Sequence, residues 1–287
     1  MDVLINILNA ISYAFILFVI ASGLSLIFGV MGVLNLAHGA LYMLGAYFGL
    51  TVASHWNNFF LAALLAAVGV GLVGLLLERV FLSRLYRQLN EQVLLTLGLV
   101  YIFTNIVLWV WGPWASGKMG AAPAILSGRI SIGDFFFPTY RLGIILIGLA
   151  LFVGLWWVQD KTRIGARIRA AMDDKEMTGG LGINYRLIFT AVFAVGATMG
   201  GLAGFLGTPI MGAFSGMGMQ FLLLAILVII IGGLGTVQGA LLGSLVVGFV
   251  DTFGKAYFSD FAMFTIYLTF IIVLLVKPSG LLGRKNV

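Results

Sequence analysis

Apolar residues collect along the chain into nine passages, at about 4–30, 39–54, 59–77, 93–112, 141–158, 187–207, 220–234, 238–250 and 261–276. A helix that spans a bilayer needs about 20 predominantly apolar residues. Passages two, seven and eight fall short of that length, which leaves room for half-helices that do not cross fully. The pattern predicts an all-α, polytopic integral membrane protein with about 8–9 membrane passages, some short or broken.

One polar stretch, Asp160 to Arg186, interrupts this pattern and organises the rest. It holds ten charges: Lys161, Arg163, Arg167, Arg169, Lys175 and Arg186 against Asp160, Asp173, Asp174 and Glu176. Arg163 to Met177 has a single glycine and no proline, and its spacing predicts a short amphipathic helix. Gly179-Gly180 and Gly182 are expected to end it. A water-soluble helix held between two spans points to a soluble partner that docks on it. The longest remaining polar segment, Gly112 to Tyr140, carries Ile130, Ile132, Phe135 and Phe137 around Gly133-Asp134. That alternation predicts two short strands and a turn, covering helix ends or meeting an external partner.

Composition agrees. The chain is 61% apolar and 9% charged, against roughly 25% charged in soluble domains. Its net charge of +6 does not imply nucleic-acid binding, because the basic residues sit in short loops where they set topology. With nine crossings and the C-terminus inside, 12 of the 16 Lys and Arg residues face the cytoplasm. Lys118, Arg129, Arg141 and Lys255 remain outside. This bias predicts a cytoplasmic C-terminus and an external N-terminus. Trp56, Trp109, Trp111, Trp114, Trp156 and Trp157 all fall near predicted interfaces, where such rings anchor spans. The absence of cysteine excludes disulfide and thiol chemistry. Met1-Asp2 lacks the basic segment of a cleavable signal, so the first apolar run is expected to remain as a span.

The chemistry that the chain lacks is informative. No Asp, Glu, Lys or Arg occurs from Val3 to Leu77 or from Leu187 to Val250. Ion-coupled carriers usually keep an ionisable group in the membrane, so the energy for uphill transport is expected from elsewhere. GPWASGKM, from Gly112 to Met119, nearly matches a phosphate-binding loop, but Met119 replaces the hydroxyl that would hold Mg²⁺. GGLGTVQG, from Gly232, lacks the spacing of a dinucleotide fingerprint and reads as close helix packing or a break. One histidine without nearby acids or thiols cannot make a zinc site, and no Ser–His or paired-Asp constellation supports an intramembrane enzyme. Among polar residues, Asn35, His38 and Tyr42 sit in a glycine-rich stretch that predicts a break. They line a solute passage or satisfy backbone groups freed by that break. Gly39-Ala40-Leu41 and Gly239-Ala240-Leu241 form a faint internal echo.

At VMGVLNLAHGALYMLGAY and TRIGARIRAAMDDKEMTGGLGIN the chain resembles the permease family of branched-chain amino-acid ATP-binding-cassette importers, its H-type subunit in particular. The resemblance extends through GGLGTVQGALLGSLVVG and the KPSGLLGRK tail. It implies one transmembrane permease domain over 1–287, in which the loop at about 159–187 couples to an ATPase subunit. Arg163, Gly165, Arg167, Arg169, Ala170, Asp173, Gly182, Ile183 and Asn184 match the family pattern there, whereas Ala166 and Thr178-Gly179-Gly180 depart from it. The implied partners are a second related permease, two cytoplasmic ATPase subunits and an extracytoplasmic binding protein, in a bacterial inner (plasma) membrane. ATP and Mg²⁺ would be held by the ATPase subunits, with no cofactor on this chain. The implied cargo is a branched-chain or other hydrophobic amino acid, with urea or short amides as alternatives within the family. The residues alone also leave open a self-contained carrier or channel for a small polar solute.

Overall fold

The computed structural model describes residues 2–32, 34–86, 88–112, 122–132 and 135–283. All nine apolar passages form helices. They are α1 (Asp2–Met31), α2 (Ala37–Trp56), α3 (Phe59–Val80), α4 (Leu89–Trp111), α5 (Thr139–Lys161), α8 (Tyr185–Met211), α9 (Met217–Gly232), α10 (Val237–Tyr257) and α11 (Ala262–Val276). The polar stretch forms α6 (Arg163–Asp173) and α7 (Lys175–Gly180). Among the described residues, α1, α3, α4, α5, α8 and α10 are long and apolar enough to cross a membrane, while α9 and the apolar part of α11 are shorter. The 16 residues of α9 reach only about 24 Å, against a hydrocarbon core of about 30 Å.

Side-chain caps set several of the helix boundaries. Asn58 Oδ1 accepts from the Leu61 amide to start α3 (3.1 Å), and Thr236 Oγ1 does the same for α10 through Gly239 (3.1 Å). Asn57, in the left-handed region at φ 45°, ends α2. The last carbonyls of α9 are satisfied by the tail beyond α11, where the Leu281 and Leu282 amides donate to Ile231 and Gly232 (2.8 and 2.9 Å). Passage eight differs from its expected extent. Its helix continues past Val250 through Asp251 to Tyr257, so it is a full-length span. Asp251 ends the apolar run but not the helix, because its carboxylate pairs with Lys255 one turn on (2.6 Å).

Two helices hold the centre. α1 packs against α5, α8, α9 and α10, while α8 packs against α1, α2 and α3. Lipid tails are as apolar as leucine, so close backbone approach rather than the hydrophobic effect drives such packing. Gly45 of α2 lies so near the Gly201 backbone of α8 that a Cβ there would overlap it, and Gly204 meets the Tyr42 carbonyl in the same way. Trp111 does more than anchor an interface. Its indole N–H donates to Thr51 Oγ1 (2.8 Å) and its ring lies 5.4 Å from that of Tyr47, tying α4 to α2. Trp56, Trp109 and Trp157 are exposed.

The predicted strands are present as β1 (Arg129–Ile132) and β2 (Phe135–Pro138), antiparallel with Ile130 opposite Phe137. Phe137 is buried, and Thr139 Oγ1 donates to the Leu126 carbonyl (2.7 Å), so the hairpin covers the start of α5. The Gly133-Asp134 turn lies outside the described residues, as do Arg87, Trp114, Lys118, Arg284, Lys285 and the GPWASGKM stretch beyond Gly112.

Candidate functional site

The polar stretch leaves α5 through Thr162, whose hydroxyl oxygen accepts from the Gly165 amide (3.3 Å) and caps α6. Gly165 itself stands against the last carbonyls of α5, where any side chain would collide with the Gln159 backbone. The inner face of α6 is apolar. Ala171 is fully buried and clusters with Val30 of α1 and with Phe189 and Val192 of α8, flanked by Ile168 and Met172. Arg169 donates to the Gln159 carbonyl and stands 3.8 Å from Asp160, which accepts from Gln238 of α10 (2.8 Å). These groups line a cleft of about 410 Å³ together with Met172, Asp173 and the α9–α10 turn.

The opposite face of α6 is open. Arg163, Ala166 and Arg167 are exposed there. Ile164, also exposed, borders an apolar groove with Ile168, Leu155 of α5 and Val192 of α8, and Met177, Leu181 and Leu187 add exposed apolar surface nearby. The helix expected over Arg163–Met177 is in fact two. Asp174 is extended (φ −150°, ψ 107°), and its Oδ1 accepts from the Met177 amide (2.9 Å), starting α7 afresh. Gly179 and Gly180 are the last two residues of α7, and the chain turns at Gly182 with φ 79°, so the helical stretch ends at the expected glycines. Thr178 binds α7 back to α6 through the Ala170 carbonyl (2.9 Å). Asn184 caps α8 through the Leu187 amide (3.2 Å). Of the nine residues singled out here, Gly165, Arg169, Ala170, Gly182 and Asn184 therefore shape the loop, and Ile183 is half-buried beside them. Arg163, Arg167 and Asp173 are exposed.

A second site lies inside the bundle. After α1 the chain turns at Gly32 (φ 72°) and re-enters, so that α2 begins well short of the end of α1. His38 Nε2 pairs with the Ile20 carbonyl (3.0 Å), about 16 Å of helix before Met31, and its ring sits between Gly23 of α1 and Gly200 of α8. α9 begins at the same level, since Gly39 meets the Gly218 carbonyl in its first turn. The two helix N-termini, with their unpaired amides and positive partial charge, thus converge in the interior. One turn beyond His38, the Tyr42 ring stacks on Phe221 of α9 (centroids 4.5 Å apart).

Asn35, His38 and Tyr42 are all buried rather than exposed to an open passage. Asn35 Oδ1 accepts from the Ala37 amide at the break (3.1 Å), whereas His38 engages a carbonyl in the middle of α1. Yet Asn35 Nδ2, His38 Nδ1 and the Tyr42 hydroxyl lack hydrogen-bond partners, three of the six such buried side-chain atoms among the described residues. Buried polar atoms are nearly always paired, so this succession marks a strip of unmet polar capacity along α2.

A third group of polar residues does not stand out in the sequence. At the end of the bundle away from α6, Asn9, Tyr13, Arg141, Gln220, Asp251 and Lys255 line a cavity of about 390 Å³, with Phe221 among its apolar walls. The signal was present as Asp251 and Lys255, an acid and a base one helical turn apart. Hydropathy alone ends the apolar passage at Val250, which leaves the pair outside any span read from sequence.

The family described as branched-chain amino acid transport system, permease component, matches residues 6–275. The chain is 27% identical to the Pseudomonas aeruginosa high-affinity branched-chain amino acid transport system permease protein BraD, over 93% of this chain and 92% of that one. It is 29% identical to the Escherichia coli K12 protein of the same description, LivH, over 93% and 91%. The probable LivH of Methanocaldococcus jannaschii is 24% identical over 96% and 91%. No solved structure matches.

Proposed function

Since the chain belongs to the family of branched-chain amino acid transport permeases, we propose that it passes branched-chain or other hydrophobic amino acids inward, driven by ATP hydrolysis on separate subunits docked at α6. The observation that carries this reading is the two-faced character of α6. Its outer face offers Arg163, Ala166 and Arg167 to a partner, and its inner face is locked onto α1 and α8 through Ala171. Those two helices enclose His38. A push on α6 therefore reaches the strip of Asn35, His38 and Tyr42 through packed side chains, without passing through a flexible loop. Rearrangement of α1 against α8 opens that strip to solute, and its three unpaired atoms then gain water or cargo as partners.

The same reading extends to orientation and partners, supported by the bias of basic residues and by the family. The α6 end faces the cytoplasm, with the C-terminus inside and the N-terminus outside, as the bias of basic residues supports. The chain works in a bacterial plasma membrane with a second, related permease, two ATPase subunits and an extracytoplasmic binding protein that delivers the cargo. ATP and Mg²⁺ reside on the ATPase subunits.

Reconstitution tests the proposal. Proteoliposomes that carry the chain with its permease partner and ATPases should accumulate leucine only with ATP on the ATPase side and binding protein on the other. The chain alone should leave a leucine gradient intact. Dissipation of that gradient by the chain alone would replace this reading with a self-contained carrier.

A further inference from the structure

We propose that the cavity at the end of the bundle away from α6 is a receiving site for a zwitterionic solute, taking its carboxylate at Arg141 and its ammonium at Asp251. The assignment rests on the reading of the chain as an amino-acid permease, and it adds where and by which charges the solute is first held. Charged groups within membrane-spanning helices are costly and mark solute pathways. Here α5 contributes Arg141 and α10 contributes Asp251, both inside helices long enough to span.

The charges are arranged for exchange rather than for a closed structural pair. Asp251 is buried, but its partner Lys255 is largely exposed, with 64% of its side chain accessible. That ammonium lies 2.6 Å from Asp251 Oδ2 and 5.7 Å from the centre of the Tyr13 ring. An exposed lysine on a flexible stem can swing away and leave the carboxylate to an incoming ammonium. Arg141 donates to Asn9 Oδ1 at 2.5 Å. A guanidinium carries five N–H donors, and this is the one side-chain hydrogen bond it makes among the described residues. Its remaining donors suit a bidentate carboxylate.

The walls complete the match. Ile210, Met211 and Phe214 join Phe221 as apolar surface beside these charges. The volume of about 390 Å³ falls within the range of small-molecule pockets. Phe221 stacks on Tyr42, so the cavity floor is continuous with the buried polar strip along α2. A solute with an apolar side chain and two opposite charges fits all three features. An anion alone would leave Asp251 repelling it, and a cation alone would face two positive groups.

Thr252 also lines the cavity, and the chain has no cysteine, so Thr252→Cys gives a single labelling position. With the full chain in lipid nanodiscs, leucine should slow maleimide labelling at that position about tenfold, as a ligand present at ten times its Kd would. Isopentylamine and 4-methylpentanoate, which each keep one of leucine's charges, should leave the rate unchanged. Adding Asp251→Asn or Arg141→Gln should abolish protection by leucine. Unchanged labelling with leucine, or equal protection by either singly charged analogue, overturns the proposal even if the charge variants fail to fold. If the reconstituted complex transports leucine while Thr252→Cys stays unprotected, the site falls and the permease reading stands. Protection without leucine transport by the complex would instead sustain the site and remove the proposed cargo.

Discussion

Gly45→Leu will leave no folded, monodisperse protein to purify. Gly45 meets the Gly201 backbone where α2 crosses α8, and a Cβ placed there would overlap main-chain atoms that cannot rotate aside. Overpacking a core costs about 1–3 kcal/mol even where side chains can move, and here the obstacle is backbone. The whole α2–α8 contact must separate. In membrane proteins that contact supplies the van der Waals attraction that holds helices together. Gly98→Leu is the matching control. Gly98 lies exposed on α4 with nothing within 4 Å of a built Cβ, so that variant should elute and melt like the parent. Fluorescence-detected size exclusion and thermal unfolding in detergent read both. A well-folded Gly45→Leu protein would mean that α2 and α8 are not packed as described.

The second large effect concerns energy transfer. The double variant Arg163→Glu, Arg167→Glu should lower ATP-driven uptake by at least about tenfold while leaving the melting temperature nearly unchanged. Both guanidinium groups are exposed on one face of α6 at a spacing of one turn. Neither has an ion-pair partner among the described residues. Their reversal therefore costs the isolated chain little. At an interface, like charges brought together cost several kcal/mol, and 1.4 kcal/mol is already a factor of ten. Uptake in reconstituted vesicles and thermal unfolding separate the two consequences. Wild-type uptake by the double variant would leave α6 as a topological loop.

The helices were legible because membrane spans write themselves into hydropathy. All nine passages appear as helices, and the strands on either side of Gly133-Asp134 follow the period-two alternation that announced them. What sequence pattern could not carry was any decision made by a distant partner or a side-chain bond. Asp174 splits the polar helix because its carboxylate caps the Met177 amide, and nothing in the composition around it distinguishes it from Asp173. Asp251 ended an apolar run by charge, while its pairing with Lys255 let the helix continue.

The candidate sites show the same division. Asn35, His38 and Tyr42 stand out along the chain as polar residues beside glycines, but the depth of His38 and Tyr42 depends on contacts with Ile20, Gly200 and Phe221 on other helices. Ala171 sits in the middle of the charged stretch, yet it is fully buried against Val30 and Phe189. Loop-forming and partner-facing residues also share one motif. Gly165 and Arg169 bind α6 to the end of α5, whereas Arg163 and Arg167 keep exposed guanidinium groups. Only the fold separates them.

If ATP hydrolysis enters this chain at α6, as proposed, the outer face of that helix must touch an ATPase subunit. Ala166 is exposed on α6 between Arg163 and Arg167, in a chain without cysteine. Ala166→Cys, assembled with ATPase subunits that carry a cysteine in their permease-facing groove, should crosslink to them, with a yield that changes when ATP is added. An actively transporting complex in which Ala166→Cys never crosslinks to an ATPase subunit, with or without ATP, would contradict the account.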